Sequence, residues 1–266
     1  MGVVNVTPDS FSDGGRFLDA EAAIAHARRL LGEGADMLDI GGESTRPGAQ
    51  PTSTEDEIAR ILPVVQAIRA ESRVPLSIDT MKPQVMRAAA AAGADIWNDV
   101  TALGFAPDSA AVAAELGCGV ILMHMQGAPA SMQLNPVYAD VVGEVAAFLG
   151  ERAEAAMAAG VRREAIWVDP GIGFGKTLEH NLDLLAHLDR IKALGLRTVL
   201  GVSRKRFLRA IDASAVEAAD RLGGSLAGAL IGAEAGMDAV RVHDVRETVQ
   251  ALTVWAAVGA CRPGAR

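Results

Sequence analysis

Polar side chains stand at the ends of several short apolar segments in this chain. Asp79, Asn98 and Asp169 each follow such a segment directly. Carboxylates accept hydrogen bonds, and an amide both donates and accepts them. If the segments are parallel strands that end at one edge, we expect the three side chains to share a site. That set suits a flat ring rich in N–H and carbonyl groups, such as a pterin or a purine. The alternative is that each carboxylate caps the helix that follows it.

Basic residues form a second group nearer the C-terminus. Lys205 lies in the segment SRKRF, and Arg241 and His243 stand two residues apart after an apolar run. Arginine binds phosphate oxygens through a fork of N–H groups, and lysine supplies a point charge. In an eight-stranded β/α barrel, the loops after strands seven and eight commonly bind phosphate. We therefore expect a cationic phosphate site here, with a solvated basic patch as the alternative.

Two loops bounded by glycine and proline follow apolar segments near the N-terminus. The first reads NVTPDSFSDGG over residues 5–15, and the second reads GGESTRPG over residues 41–48. Polar residues held between helix breakers on a buried strand are typical of site loops. We expect both loops to act as lids. Asn5 would adjoin the last strand of a closed barrel, where its side-chain oxygen can bind Mg²⁺ beside a phosphate.

The order of these segments predicts the fold. Eight apolar strand ends alternate with Ala- and Leu-rich helical segments along 266 residues. The helices are expected at residues 21–34, 54–71, 82–93, 108–117, 139–160, 178–195, 219–236 and 244–260. This pattern predicts an α/β fold, a (β/α)8 TIM barrel in which residues 1–266 form a single domain. A doubly wound open sheet is the rival fold, but it does not require polar residues at every strand end.

Composition limits the classes of function. Half of the residues are hydrophobic but only 4% are aromatic, which suits a barrel filled by small branched side chains. The net charge of -8 and the lack of a basic tract argue against nucleic-acid binding. Cys118 and Cys261 have no metal-like spacing and are expected to be free thiols. Because no membrane span or signal peptide is recognisable, we expect a cytoplasmic protein.

Together these motifs resemble those of the dihydropteroate synthase family. The resemblance rests on segments that appear in order and span nearly the whole chain, at residues 5–15, 41–48, 77–80, 98–100, 122–125, 169–176, 203–207 and 241–245. It implies that the enzyme condenses 6-hydroxymethyl-7,8-dihydropterin diphosphate with 4-aminobenzoate. The products would be 7,8-dihydropteroate and diphosphate, with Mg²⁺ as cofactor and a homodimer as the assembly. Family members usually carry a short N-terminal hairpin, which here is expected to be missing or shortened.

The resemblance also implies a role for individual residues. The pterin would be held by Asp79, Asn98, Met123, Asp169, Lys205 and Arg241. The diphosphate would be held by Asn5, Arg241 and His243, with Mg²⁺ on Asn5. The 4-aminobenzoate pocket, where sulfonamides compete, would be formed by Phe11, Thr45, Arg46, Pro47, Phe174, Ser203 and Lys205. The catalytic set would be Asp79, Asp13, Lys205, Arg241 and His243.

The chemistry of the amine favours an SN1-like path. The lone pair of 4-aminobenzoate is conjugated with its ring, so the amine is a weak nucleophile. We therefore expect diphosphate to leave first, with Asp79 and Asp13 stabilising the pterin cation.

Three alternatives stay open on the sequence alone. A methyltetrahydrofolate-type methyltransferase barrel would share Asp79, Asn98 and Asp169 but would not need a diphosphate site. A Schiff-base aldolase would use Lys205 as nucleophile. A catalytically silent paralogue would bind pterin without turnover.

Overall fold

The computed structural model describes residues 1–6, 15–44, 50–128 and 131–261. In these residues eight parallel strands form one sheet, and each strand pairs with the next along the chain. The strands are β1 (Gly2–Asn5), β2 (Leu38–Gly41), β3 (Leu76–Asp79), β4 (Ile96–Asp99), β5 (Gly119–Met123), β6 (Ile166–Asp169), β7 (Arg197–Leu200) and β8 (Ala239–Val240).

The sheet closes on itself where the first strand meets the last. Gly2 bridges to Val242 in parallel. The Val3 N–H donates to the Val242 carbonyl at 3.0 Å, and the Val242 N–H donates to the Met1 carbonyl at 2.9 Å. Closure removes both open edges of the sheet. The prediction of a (β/α)8 barrel is therefore confirmed, and the doubly wound sheet is excluded.

Helices follow the strands at nearly the expected places. They are α1 (Gly15–Gly32), α2 (Thr54–Glu71), α3 (Pro83–Ala91), α4 (Ser109–Leu116), α5 (Val141–Ala158), α6 (Leu178–Ala186), α7 (Leu188–Lys192), α8 (Arg206–Ile211), α9 (Leu222–Glu234) and α10 (Val245–Ala260). None of the helices within the described residues is long and apolar enough to cross a lipid bilayer. Both cysteines are free thiols, with Cys118 buried and Cys261 exposed.

Four helical segments differ from the sequence expectation. The helix α1 begins at Gly15, six residues before the expected start at residue 21. The predicted helix 178–195 breaks at His187, whose backbone leaves the helical region at φ -125 and ψ 38. The helix α8 lies where only a basic loop was expected. The predicted helix 219–236 begins as the 3-10 turn Ala219–Arg221 and becomes α-helical at Leu222.

Apolar side chains fill the space on both sides of the sheet. Outside the barrel, Trp97 is fully buried in the main core cluster, and its Nε1 donates to the Thr80 carbonyl at 2.7 Å. It therefore points away from the barrel interior, as strand alternation predicts. Inside the barrel, Ile96, Ile121 and Val199 form a separate apolar cluster. This cluster closes the N-terminal half of the interior, so polar chemistry is confined to the C-terminal half.

A buried charged cluster ties α3 to β2 and α2. The Lys82 Nζ donates to Glu57 at 2.7 Å, to Glu43 at 3.0 Å and to the Thr52 carbonyl at 2.7 Å. Glu57 is fully buried, and burial raises the pKa of its carboxyl while Lys82 opposes that rise. Removing one partner of a buried ion pair leaves an uncompensated charge. We therefore expect Lys82→Met to lower the free energy of unfolding by about 3–5 kcal/mol.

The same helix offers a matched control for this prediction. Arg87 pairs with Glu115 at 2.6 Å, but both side chains are exposed. Exposed pairs contribute about 0–1 kcal/mol, so Arg87→Met should change stability little. Guanidinium unfolding of both variants measures the difference. Similar losses in the two variants would mean that the buried cluster around Lys82 is not specially stabilising.

Candidate active site

Inward-facing residues of the even-numbered strands form a polar layer across the barrel, made of Asp39, Asn98, Asp169 and Arg241. The strand registers bring these positions to one level. The Arg241 Nε donates to Asp39 at 2.6 Å, and the Asn98 Nδ2 lies 3.2 Å from both oxygens of Asp39. Such layers are usually filled by branched apolar side chains. Here the polar layer forms the floor of a site that opens at the C-terminal strand ends.

Asp79 lies one level closer to the mouth, at the end of β3. The Arg241 Nη2 donates to its carboxylate at 2.8 Å. Burial raises the pKa of Asp79 to about 7, with Arg241 opposing the rise and Asp39 reinforcing it. Asp79 therefore changes its charge close to neutral pH, which is a property of many catalytic carboxylates.

Arg241 belongs to this acidic group rather than to an open cationic patch. Burial acts to lower the pKa of its guanidinium, but Asp39 and Asp79 outweigh burial and hold the pKa above its usual value. Arg241 is thus permanently charged and held between two carboxylates. Its side chain retains partial exposure of 20%, so the guanidinium still borders the mouth.

His243 differs from the sequence expectation of a cationic side chain. Burial lowers its pKa to about 3, and the nearby cations Arg241 and Arg204 add to the effect. The imidazole is therefore neutral at pH 7. Its Nδ1 lies 3.0 Å from the Ser203 hydroxyl, which also accepts the His243 backbone N–H at 3.1 Å. His243 can offer hydrogen bonds to a bound anion, but it adds no positive charge.

The turn after β7 directs Lys205 towards the barrel. Arg204 adopts a left-handed backbone conformation with φ 60, and its guanidinium pairs with Asp244, with Nε at 3.0 Å. Lys205 instead places its Nζ 4.0 Å from the centroid of the Phe174 ring. A cation at this distance is attracted to the ring face. The predicted neighbours Lys205 and Phe174 are therefore in direct contact.

Lys205 and Asp169 influence each other electrostatically. Burial lowers the pKa of Lys205 to about 8, and Asp169 opposes that fall. Burial also raises the pKa of Asp169, although the Gly171 N–H donates to its carboxylate at 2.7 Å. The polar layer thus continues into the loop after β6 and across to Lys205.

The glycine-rich loop after β6 is fixed from inside by Lys176. Its Nζ is 3.0 Å from the carbonyls of Gly171 and Phe174 and 3.0 Å from His124 Nδ1. Gly171 has φ 67, and a Cβ there would lie 1.9 Å from the His124 carbonyl. Although GIGFGKT looks like a phosphate-binding loop, its lysine binds main-chain oxygens. Sequence reasoning missed this structural role.

The other predicted site residues also lie at strand ends. Asn5 ends β1 beside Gly41, and Met123 ends β5 beside Asp169. The predicted residues Phe11, Asp13, Thr45, Arg46 and Pro47 lie outside the described residues. All other predicted site residues lie at the C-terminal ends of the strands or in the loops that follow them.

Asp39 is the second residue that sequence reasoning missed. It is fully buried and lies within β2 rather than at its end. The sequence did contain a signal, because Asp39 is an acidic residue between the apolar Leu38 and Ile40. Strand alternation places its side chain on the same face of the strand as Gly41. An unpaired carboxylate is costly at such a position, so a buried cation was required nearby.

Comparisons with known proteins agree with this geometry. A family model described as pterin binding enzyme matches residues 1–243. Dihydropteroate synthase of Neisseria meningitidis serogroup C is 49% identical over 262 residues, which are 97% of this chain and 92% of that protein. The structure of Xanthomonas albilineans dihydropteroate synthase with 4-aminobenzoic acid has a TM-score of 0.93 at 50% identity, covering 98% of this chain and 93% of that one. Yersinia pestis dihydropteroate synthase with a sulfonamide drug has a TM-score of 0.92 at 43% identity, covering 98% and 94%.

Proposed function

The chain belongs to the dihydropteroate synthase family of pterin-binding enzymes, and we propose how the residues at its barrel mouth perform that family's reaction. The substrates are 6-hydroxymethyl-7,8-dihydropterin diphosphate and 4-aminobenzoate, and the products are 7,8-dihydropteroate and diphosphate. The observation that supports this assignment most directly is the polar layer beneath Asp79. A layer of carboxylates and an amide can match the hydrogen-bonding edge of a pterin.

The pterin lies on this polar floor. Asp169 and Asp79 accept hydrogen bonds from its N–H groups, and Asn98 adds an amide. Lys205 donates to the ring from the β7 side, and Met123 and Arg241 pack on its faces. The apolar cluster below the polar layer closes the bottom of the pocket, so the ring stops at this depth.

The diphosphate lies nearer the seam between β8 and β1. Arg241 supplies a fixed positive charge, and the neutral His243 imidazole supplies a hydrogen bond. Asn5 fits a Mg²⁺ site because its side-chain oxygen is a hard donor on a partly exposed strand end. The described residues contain no group of three or more His, Cys, Asp or Glu side chains able to hold a metal. Mg²⁺ usually keeps several waters and takes few protein ligands beside substrate phosphates. Asn5 would hold the ion here, and the bound ion would neutralise phosphate charge.

The 4-aminobenzoate pocket lies beside the diphosphate site, towards the ends of β6 and β7. Lys205 and Phe174 are in contact there, with Ser203 near the end of β7. The further pocket residues are Phe11, Thr45, Arg46 and Pro47, all outside the described residues. A sulfonamide competes for this pocket because it presents a similar aromatic amine opposite an acidic group.

Bond cleavage precedes bond formation in this site. The C–O bond to diphosphate breaks, and its electron pair leaves with the diphosphate towards Arg241 and His243. The pterin methylene becomes cationic, and ionised Asp79, with Asp13, stabilises that charge. The amine of 4-aminobenzoate then forms the C–N bond and releases a proton. Fixed charges in a partly dry site act more strongly on these steps than they would in water.

A direct assay tests this assignment. Purified protein is mixed with the pterin diphosphate, 4-aminobenzoate and Mg²⁺, and dihydropteroate is followed by mass together with diphosphate release. We expect product only when all three are present, and loss of product in Lys205→Ala. Tight pterin binding without product would instead indicate a silent paralogue or a methyltransferase barrel. Trapping of a carbonyl substrate by borohydride on Lys205 would indicate the aldolase.

The assembly and location of the protein are also part of the proposal. Family membership supports a homodimer and a cytoplasmic location, and neither depends on the residues of the barrel mouth. Size-exclusion chromatography with light scattering measures the first directly.

The pH dependence of the reaction should reflect two of the shifted groups. Ionised Asp79 is needed to stabilise the cation, so kcat/KM should rise through its pKa of about 7. Protonated Lys205 is needed as a donor, so kcat/KM should fall above its pKa of about 8. The expected profile is a narrow bell. In Lys205→Arg the alkaline limb should move to higher pH, and an unmoved limb would exclude Lys205 as its origin.

The raised pKa of Asp79 also makes the stability of the protein depend on pH. The folded-state pKa of Asp79 lies above its unfolded value, so the folded protein binds the extra proton. Its stabilising contribution is complete below about pH 4 and is lost as the pH rises through about 7. Unfolding of wild type and Asp79→Asn across this range isolates the contribution.

A further inference from the structure

We propose that Asp39 is a positioning residue, which holds Arg241 in place and turns the amide of Asn98 for recognition of the pterin. This inference rests on the proposed function, because it concerns the same site. Asp39 does not contact the substrates itself. It acts from within the polar layer through Arg241 and Asn98, which do contact the pterin.

The contact with Arg241 fixes the guanidinium in two directions. Asp39 accepts from Nε at 2.6 Å and Asp79 accepts from Nη2 at 2.8 Å. Asp39 is fully buried, whereas Asp79 retains 15% exposure. Asp39, the buried partner, therefore fixes the position of the guanidinium. Asp79, the more exposed partner, remains able to contact the substrate. A long arginine side chain without the anchor would gain many rotamers.

The contact with Asn98 sets the direction of an amide. An ionised carboxylate can only accept hydrogen bonds. Because both oxygens of Asp39 lie 3.2 Å from Asn98 Nδ2, the amide must direct its N–H group at Asp39. Its carbonyl oxygen is then left to face the pocket. The pocket thus offers an acceptor at this position and favours a ring that donates an N–H there.

The variant Asp39→Asn tests both contacts with almost no change in shape. It removes the negative charge and introduces a donor beside Asn98. We expect kcat/KM for the pterin diphosphate to fall roughly 100-fold, as for a displaced positioning group. The KM for 4-aminobenzoate should stay at the wild-type value, because Asp39 does not face Lys205 or Phe174.

Ser77 provides the matched control. It pairs with Asp39 in the strand register, is fully buried, and its hydroxyl has no hydrogen-bond partner among the described residues. Ser77→Ala therefore changes a neighbouring polar group in the barrel without touching Arg241 or Asn98. Its kinetic constants should equal those of the wild type. A comparable loss in Ser77→Ala would show that any change at this depth disturbs the site, and would overturn the proposal.

A spectroscopic measurement separates this inference from the proposed function. In protein labelled with 15N-arginine, the Arg241 Nε–H should give a slowly exchanging signal, assigned by its loss in Arg241→Gln. The signal should persist in Ser77→Ala and should exchange rapidly in Asp39→Asn. This readout needs no substrate, so it remains informative if the wild type shows no turnover. An unchanged signal in Asp39→Asn would overturn the proposal.

A double-mutant cycle provides a second test if the single variant Asp39→Asn folds poorly. Asp39→Asn with Arg241→Gln removes both charges together, so the pair should fold better than either single variant. If Asp39 acts through Arg241, adding Asp39→Asn to Arg241→Gln should weaken calorimetric binding of the pterin diphosphate much less than the same change weakens it in the wild type. Additive losses would mean that Asp39 acts independently of Arg241, and the proposal would be wrong.

Discussion

Asp79→Asn is expected to lower kcat roughly 10²- to 10³-fold while pterin binding changes little. The amide keeps the size and most hydrogen bonds of the carboxylate. It cannot supply the negative charge that meets the cation on the pterin methylene. The ground state carries no such cation, so the loss should appear in kcat rather than in the dissociation constant.

Asp99 supplies the control for this measurement. It ends β4 beside Asn98, but its carboxylate faces away from the pocket and accepts the backbone N–H groups of Thr101 at 2.7 Å and Leu103 at 2.9 Å. Asp99→Asn should therefore weaken folding while kcat stays near the wild-type value. Single-turnover kinetics with calorimetric pterin binding compare the two variants. Unchanged turnover in Asp79→Asn would remove Asp79 from the mechanism.

Arg241→Gln is expected to remove activity and also to lower the free energy of unfolding by about 3–5 kcal/mol. The substitution leaves the fully buried Asp39 without its cation. It also removes the Arg241 hydrogen bond to Asp79, which favours the ionised carboxylate. The diphosphate also loses the fixed charge that stabilises its departure. A single change should therefore affect stability and catalysis together.

The two effects of Arg241→Gln can be separated. Adding Asp39→Asn neutralises the buried carboxylate, so stability should largely return while activity stays absent. Arg204→Gln is the matched control, because Arg204 also pairs with a carboxylate but is 34% exposed, and it should cost less stability. Urea unfolding of the four proteins gives the comparison. Full stability in Arg241→Gln would show that Asp39 does not need a cation.

The barrel could be predicted because each strand–helix unit has a local sequence pattern, and that pattern repeats along the chain. The helix α2 matches its expected bounds, since Ser53 accepts the Asp56 N–H at 3.0 Å and caps its start. The break at His187 was not predictable from periodicity, because apolar residues continue through it. The six-residue helix α8 is too short to show a periodic pattern.

The candidate site could be predicted where its residues lie at or next to the last residue of a strand, and it was missed deeper within a strand. Asp79 and Asp169 end their strands and Asn98 is one residue from the end of β4, whereas Asp39 lies two residues before the end of β2. The charge of His243 could not be read from the sequence. It depends on burial and on Arg204, which only the folded barrel brings near.

The pairing of Asp39 with Arg241 joins positions 202 residues apart. During synthesis, β2 and β3 emerge long before the cation that neutralises their buried acids. The early strands therefore cannot reach their final burial until the eighth strand arrives, and a nascent chain holds no partial pocket. Contacts of such long sequence separation slow folding. Ligand binding by this protein should accordingly report on complete folding, because the pocket needs residues from both ends of the chain.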